Sequence, residues 1–150
     1  MARGPDFPAL NPELVADIYR RYRPRGWTIR QSKYRRDHGG NGVADSGLRV
    51  LRVPLLIDVN DLHTLLHECG HVHRGHFLVN KPHHLEEHEA EMYALHVLWA
   101  EGVETPHLLV RVSRQIVKDA VEKDVLKDIP IDWRAQAWAD KGIVAFWRHK

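Results

Sequence analysis

Between positions 63 and 76 the sequence reads HTLLHECGHVHRGH, with five histidines. The stretch HLEEHEAEMYA, from 84 to 94, adds two histidines and four glutamates. Imidazole nitrogens and carboxylate oxygens at this density are the donor set of a divalent metal, and spacing selects among them. HECGH, 67–71, is an HExxH motif. Residues i and i+4 share a helix face, about 5–6 Å apart at Cβ, so His67 and His71 can hold one Zn2+. Glu68 is rotated by about 100° and can reach water at the metal without ligating it, which suits a general base. Leu62, Leu65, Leu66, Cys69 and Val72 recur at helical spacing on another side. The two histidines therefore face away from the core, toward a cleft.

A catalytic zinc keeps three protein ligands and one open position. The metzincin pattern HExxHxxGxxH would supply the third from the same segment, but this chain has Arg74 and Phe77 where glycine and histidine are required. His73 and His76 fall at or past the helix end and are expected in solvent. The next helix offers Glu87 and Glu91, four apart, with Ala90 and Ala94 extending that face. Two alanines opposite Gly70 let the helices approach closely. Glu87 is then the expected third ligand, and Glu91 the carboxylate that accepts the N–H of a ligand histidine. Glu86 and Glu89 are expected to be solvated. His63, one turn before His67, is expected to line the cleft without ligating. Tyr93, His96, His107 and Tyr34 are candidates for stabilising an oxyanion.

HECGH followed by Glu87, His88, Glu89, Ala90, Glu91, Met92, Tyr93 and Ala94 resembles the ImmA/IrrE-type metallopeptidases. In these, HExxH is followed on the next helix by Glu-x-x-Ala-(Asn/Asp/Glu)-x-(Phe/Tyr)-Ala. The resemblance covers positions 63–98. It implies His67, His71 and Glu87 as zinc ligands, Glu68 as catalytic base and a gluzincin-like fold with a small sheet before the zinc helix. It also implies a protein substrate such as a transcriptional repressor or an antitoxin. The chain departs from the pattern at Glu91, where asparagine or aspartate is commoner, and beyond it, where His96, Trp99 and Glu101 replace an apolar run ending in Met-Pro.

The chain carrying these motifs has 150 residues, 43% apolar and 28% charged, which suits one soluble domain. Its single cysteine, Cys69, excludes an intramolecular disulfide and fits a reducing compartment. MARGPDFPAL places Arg3, Pro5, Asp6 and Pro8 where a secretory leader would carry an apolar run. VPLLI, 53–57, is too short to span a bilayer. A cytoplasmic protein without membrane contact is expected. Net charge is +2, but 20–36 holds eight basic residues and no acidic one, with Tyr22, Trp27 and Tyr34 interleaved. Arg30, Lys33, Arg35 and Arg36 could contact nucleic acid, although such a run is more often a solvated face.

The elements that must position the motifs follow from punctuation and period. Asn11 and Pro12 start a helix that runs to about Tyr22 and is stopped by Pro24. WTIRQSKY, 27–34, alternates as a strand, and RRDHGGNG, 35–42, reads as a turn. GVADSGLRVLRVP, 42–54, reads as two strands around Asp45-Ser46-Gly47. An antiparallel sheet of about three strands is expected, with its edge near Leu48 to Val53 free to pair with an extended substrate. Helices are expected from Asp58 to near Gly75, over 83–101 before Gly102, from a Thr105-Pro106 cap to about Asp128, and over 133–141 between Asp132 and Gly142. Trp133, Trp138 and Trp147 are expected to pack the C-terminal segment. The result is a single α+β domain.

Two other functions fit the same residues. One is a SprT-like, DNA-associated metalloprotease in which His76, His83, His84 or His88 replaces Glu87. The other is a non-catalytic module in which zinc only holds the helices together while the basic segment binds nucleic acid or a regulator.

Overall fold

A computed structural model describes residues 7–144. The elements are α1 (Pro12–Tyr22), β1 (Thr28–Ser32), α2 (Lys33–Asp37), β2 (Val43–Asp45), β3 (Val50–Pro54), α3 (Val59–His73), α4 (His83–Ala100), α5 (His107–Leu126) and α6 (Trp133–Lys141). The fold is α+β. Side-chain caps fix several boundaries: Asn11 accepts from the Glu13 N–H, Asp58 and Asp61 form a reciprocal capping box on α3, and Asp132 accepts from the Arg134 N–H. Gly142 closes α6 in the left-handed conformation, φ 65°.

The sheet differs from an all-antiparallel one. Its order is β1-β3-β2, with β3 parallel to β1 and antiparallel to β2. The cause lies in 33–37, where a helical turn replaces the end of the expected strand. The Ser32 hydroxyl accepts from the Arg35 N–H and starts α2. The chain then crosses to the far edge, forms β2 and returns as β3 down the middle. The central strand is paired along both of its edges, and Val50, Leu51, Val53 and Pro54 of it are buried. β1 and β2 are therefore the two edges of the sheet, and the segment near Leu48 to Val53, which runs into the middle strand, is not free to pair with a substrate.

Arg36 turns inward. Its guanidinium donates to Asp61 Oδ2 at 2.8 Å and to Asp58 Oδ2 at 2.9 Å. Both carboxylates are buried at the start of α3 and need a cation, so Arg36 is a clamp between α2 and α3 and is not available to nucleic acid. Burial raises the Asp61 pKa despite the guanidinium beside it.

Two apolar clusters share α4. Ile18, Leu51, Leu62, Leu66 and Leu98 belong to one, and Met92, Leu95, Val117, Val121 and Trp138 to the other. With apolar neighbours on both sides, α4 buries polar residues as well, among them His84, His88, Glu89 and Glu91. Trp138 packs as expected. Trp133 is 68% exposed and does not, and Trp147 lies outside the described residues. Thr105 does not cap α5; its hydroxyl accepts from Trp99 Nε1 at 3.0 Å, and Pro106 occupies the cap position. No helix among the described residues is long and apolar enough to cross a membrane.

A buried buckle joins α4, α5 and the start of α6. Asp124 Oδ2 accepts from His84 Nδ1 at 2.6 Å and from the His84 backbone N–H at 2.9 Å, while His84 Nε2 accepts from the Asp132 N–H at 3.1 Å. Removing the carboxylate leaves buried donors without a partner. Asp124→Ala is expected to lower stability by about 3 kcal/mol in urea unfolding. A loss below about 1 kcal/mol would show that the buckle is not a principal tie.

Candidate metal centre

The site forms where α3 and α4 touch without intervening side chains. A Cβ added at Gly70 would lie 3.0 Å from the Ala90 Cα, 3.1 Å from the Ala90 carbonyl oxygen and 3.2 Å from the Tyr93 Cβ. Gly70 is one residue before His71, and Ala90 lies between Glu87 and Glu91. Contact at this point brings the donors of both helices together.

His67 Nε2 lies 3.0 Å from a Glu87 carboxylate oxygen and 3.0 Å from His71 Nε2; His71 Nε2 lies 3.4 Å from the other Glu87 oxygen. Tetrahedral ligands at ordinary zinc bond lengths stand about 3.3 Å apart. Among the described residues, His67, His71 and Glu87 are the group of three His, Cys, Asp or Glu side chains whose ligand atoms converge. His83, His84 and His88 do not join it. His83 Nδ1 is 4.0 Å from Glu87 on an exposed ring, and His84 is held by Asp124. The donor set therefore fits one divalent ion bound by two imidazoles and a carboxylate.

Glu91 is fully buried against the His63 and His67 rings. One of its oxygens accepts from His67 Nδ1 and the other from His63 Nε2 at 2.9 Å. A carboxylate can only accept, so His67 carries a proton on Nδ1, and Nε2, the atom that faces Glu87, is the one a metal would take. Burial opposes charge on Glu91, yet His63 and His67 hold its pKa well below the usual carboxylate range. Burial acts likewise on Glu87, and hydrogen bonds with His67 and His71 outweigh it in the same direction. Burial lowers the affinity of His67 for a proton, but Glu91 and Glu87 reverse this and hold it well above its ordinary value. The cluster thus favours positive charge at the point where the donors meet.

Glu68 stands beside the donors and lines an open cavity of about 390 Å³. Burial raises its pKa, against the pull of His67 and His71. The floor of the cavity is His63, Thr64, His67, Glu68 and His71 of α3. The loop Gly39–Gly42 also lines it, as do Val112 and Ile116, one turn apart on α5. A Cβ at Gly42 would fall 2.8 Å from Glu68 Cγ, so the loop closes on Glu68 only because position 42 has no side chain. These two linings were not legible from the histidine motif. An i,i+4 aliphatic pair beside the buried stripe of Leu109 and Val117 was the available signal for the second.

Several expected positions change. His76 is 6% exposed rather than solvated, with Nδ1 2.8 Å from His71 Nδ1. Glu89 is 2% exposed and carries Arg74 at 2.7 Å, Lys81 at 2.9 Å and His76 at 3.3 Å. Desolvation opposes its charge, but these partners bring its pKa down to about 2. Glu86 is partly exposed and His73 exposed, the latter within 2.9 Å of the Tyr22 carbonyl oxygen. Tyr93, His96, His107 and Tyr34 do not line the cavity. Tyr93 stacks on His73, and Tyr34 stacks on His38 with ring centroids 4.0 Å apart. Arg30 and Lys33 are exposed; Arg35 is partly covered and reaches the Asn41 carbonyl at 3.4 Å.

Comparisons with models of protein families, with curated proteins and with solved structures gave no match to this chain.

The helix contact at Gly70 has a sign that can be tested. By helix propensity alone, Gly70→Ala would stabilise the protein by up to about 1 kcal/mol. Crowding against Ala90 backbone outweighs this, and a net loss of about 1–2 kcal/mol is expected in urea unfolding of metal-free protein. A more stable variant would contradict the close approach of the two helices.

Proposed function

We propose that this chain is a zinc-dependent metallo-endopeptidase of the ImmA/IrrE type, acting in the cytoplasm on a regulatory protein such as a repressor or an antitoxin. The observation that carries the reading is the convergence of His67 Nε2, His71 Nε2 and the Glu87 carboxylate beside Glu68, at the floor of an open cleft. The class of substrate rests on the motif resemblance.

Zinc, when bound by His67, His71 and Glu87, would supply Lewis acidity toward a peptide carbonyl and acidify water. The chain's own residues do the rest. Glu91 fixes the His67 ring so that Nε2 faces the cleft. Glu68 takes a proton from water as the water oxygen bonds to the scissile carbonyl carbon. It then gives that proton to the amide nitrogen as the C–N bond breaks, leaving a carboxylic acid and an amine. An extended peptide can lie along the outer edge of β2, which leads directly out of the Gly39–Gly42 loop, with its side chains toward Val112 and Ile116. Asn41 and Asn60 line the same cavity and offer amide groups to the substrate backbone.

Glu68→Gln separates this reading from a zinc-stabilised binding module. It removes the base and leaves every proposed ligand in place. Expected are zinc content equal to wild type and a fall in peptide cleavage of about 10²–10⁴-fold. Cleavage at the wild-type rate by zinc-loaded Glu68→Gln would contradict the assigned base.

A further inference from the structure

We propose that His76 is a positioning residue of the metal centre: the turn that ends α3 places it to accept the Nδ1–H of His71, so that His71 Nε2 is left bare for the metal. This rests on the reading of His67, His71 and Glu87 as the ligand set.

The backbone makes the placement. Gly75 follows α3 with φ 69°, in the left-handed region that glycine enters without strain. Its N–H donates to the Val72 carbonyl at 3.0 Å, and the His76 N–H donates to the His71 carbonyl at 3.1 Å. This pair of bonds is a Schellman motif, and it sets the residue after the glycine over the third-last residue of the helix. Those two positions usually hold an apolar contact. Here they are His76 and His71, and the contact is a hydrogen bond between Nδ1 atoms of 2.8 Å.

Two facing nitrogens need one donor and one acceptor. The other end of His76 decides which is which. Its Nε2 lies 3.3 Å from Glu89 Oε1, and a carboxylate accepts only. His76 therefore carries hydrogen on Nε2 and a lone pair on Nδ1. When a metal takes His71 Nε2, the atom 3.0 Å from His67 Nε2 and 3.4 Å from Glu87, the His71 proton sits on Nδ1 and donates to the His76 lone pair. Glu89 is kept in place by Arg74 and Lys81. The two ligand histidines thus have separate outer supports: Glu91 for His67, and His76 backed by Glu89 for His71. A histidine held in one tautomer binds metal without first rearranging.

The test uses zinc as probe, in competition with a chromogenic chelator, on the full chain. His76→Leu keeps an apolar contact at the helix end and removes the acceptor. His76→Asn returns an acceptor near the Nδ1 position. Expected is a zinc Kd weakened about 10–100-fold in His76→Leu and largely restored in His76→Asn, with urea unfolding of the metal-free proteins little changed. A Kd for His76→Leu within twofold of wild type overturns the proposal. Loss of zinc in both variants as complete as in His67→Ala overturns it differently, since His76 would then be a ligand. Should His76→Leu fail to fold, the ¹⁵N shifts of the His71 ring in zinc-loaded wild type decide: Nδ1–H supports the proposal and Nε2–H overturns it. Wild type that takes up no zinc overturns the ligand set itself, an outcome distinct from the others.

Discussion

The contact between Gly70 on α3 and Ala90 on α4 governs the rest of the structure. A helix pair normally keeps its axes 8–10 Å apart according to the side chains between them. At this crossing one partner has no side chain and the other has a single methyl group. His67 and His71 flank the contact on α3, and Glu87 and Glu91 flank it on α4, so two carboxylates reach two imidazoles across the helix pair. The surrounding apolar cluster, with Leu62, Leu66 and Leu98, holds that approach from below.

Burying charge is the consequence of building a site this way. Glu89 and Glu91 are nearly or fully removed from solvent on a helix with apolar neighbours on both sides. Each is compensated by partners from outside its own helix. Glu91 lies against His63 and His67, and Glu89 against Arg74, Lys81 and His76. Arg36 answers Asp58 and Asp61 at the start of α3 in the same manner. The buried carboxylates thus have partners close by, and at the cleft Glu87 and Glu91 converge on His67 and His71 beside an open cavity. A cation is the natural complement of that donor set.

Much of this was legible in the sequence, for identifiable reasons. The i,i+4 spacing of His67 and His71 and of Glu87 and Glu91, with small residues between, is a local property of helices, and the expected grouping matches the geometry found. Helix ends at Asp58, Asp132 and Gly142 were likewise written in single capping residues. What could not be read was set by tertiary context. Glu89 looks like a solvated helix carboxylate until Arg74 and Lys81 arrive from the preceding loop. Arg36 belongs to a basic run by composition and to a buried clamp by position. The parallel pairing of β1 with β3 depends on the crossover through α2, which a strand period extended to Tyr34 concealed. His76 was partly legible: Gly75 marks the helix stop, and a histidine just after such a glycine comes to rest over the residue five positions before it.

X-ray absorption spectroscopy of the zinc-loaded protein tests the central claim, that two imidazoles and one carboxylate form the metal site. The account predicts one zinc per chain with two imidazole nitrogens and the remaining donors oxygen, at about 2.0–2.1 Å. A shell of three imidazoles would contradict the assignment of Glu87 and favour a histidine ligand. Failure of purified protein to take up stoichiometric zinc would contradict the metal centre as a whole.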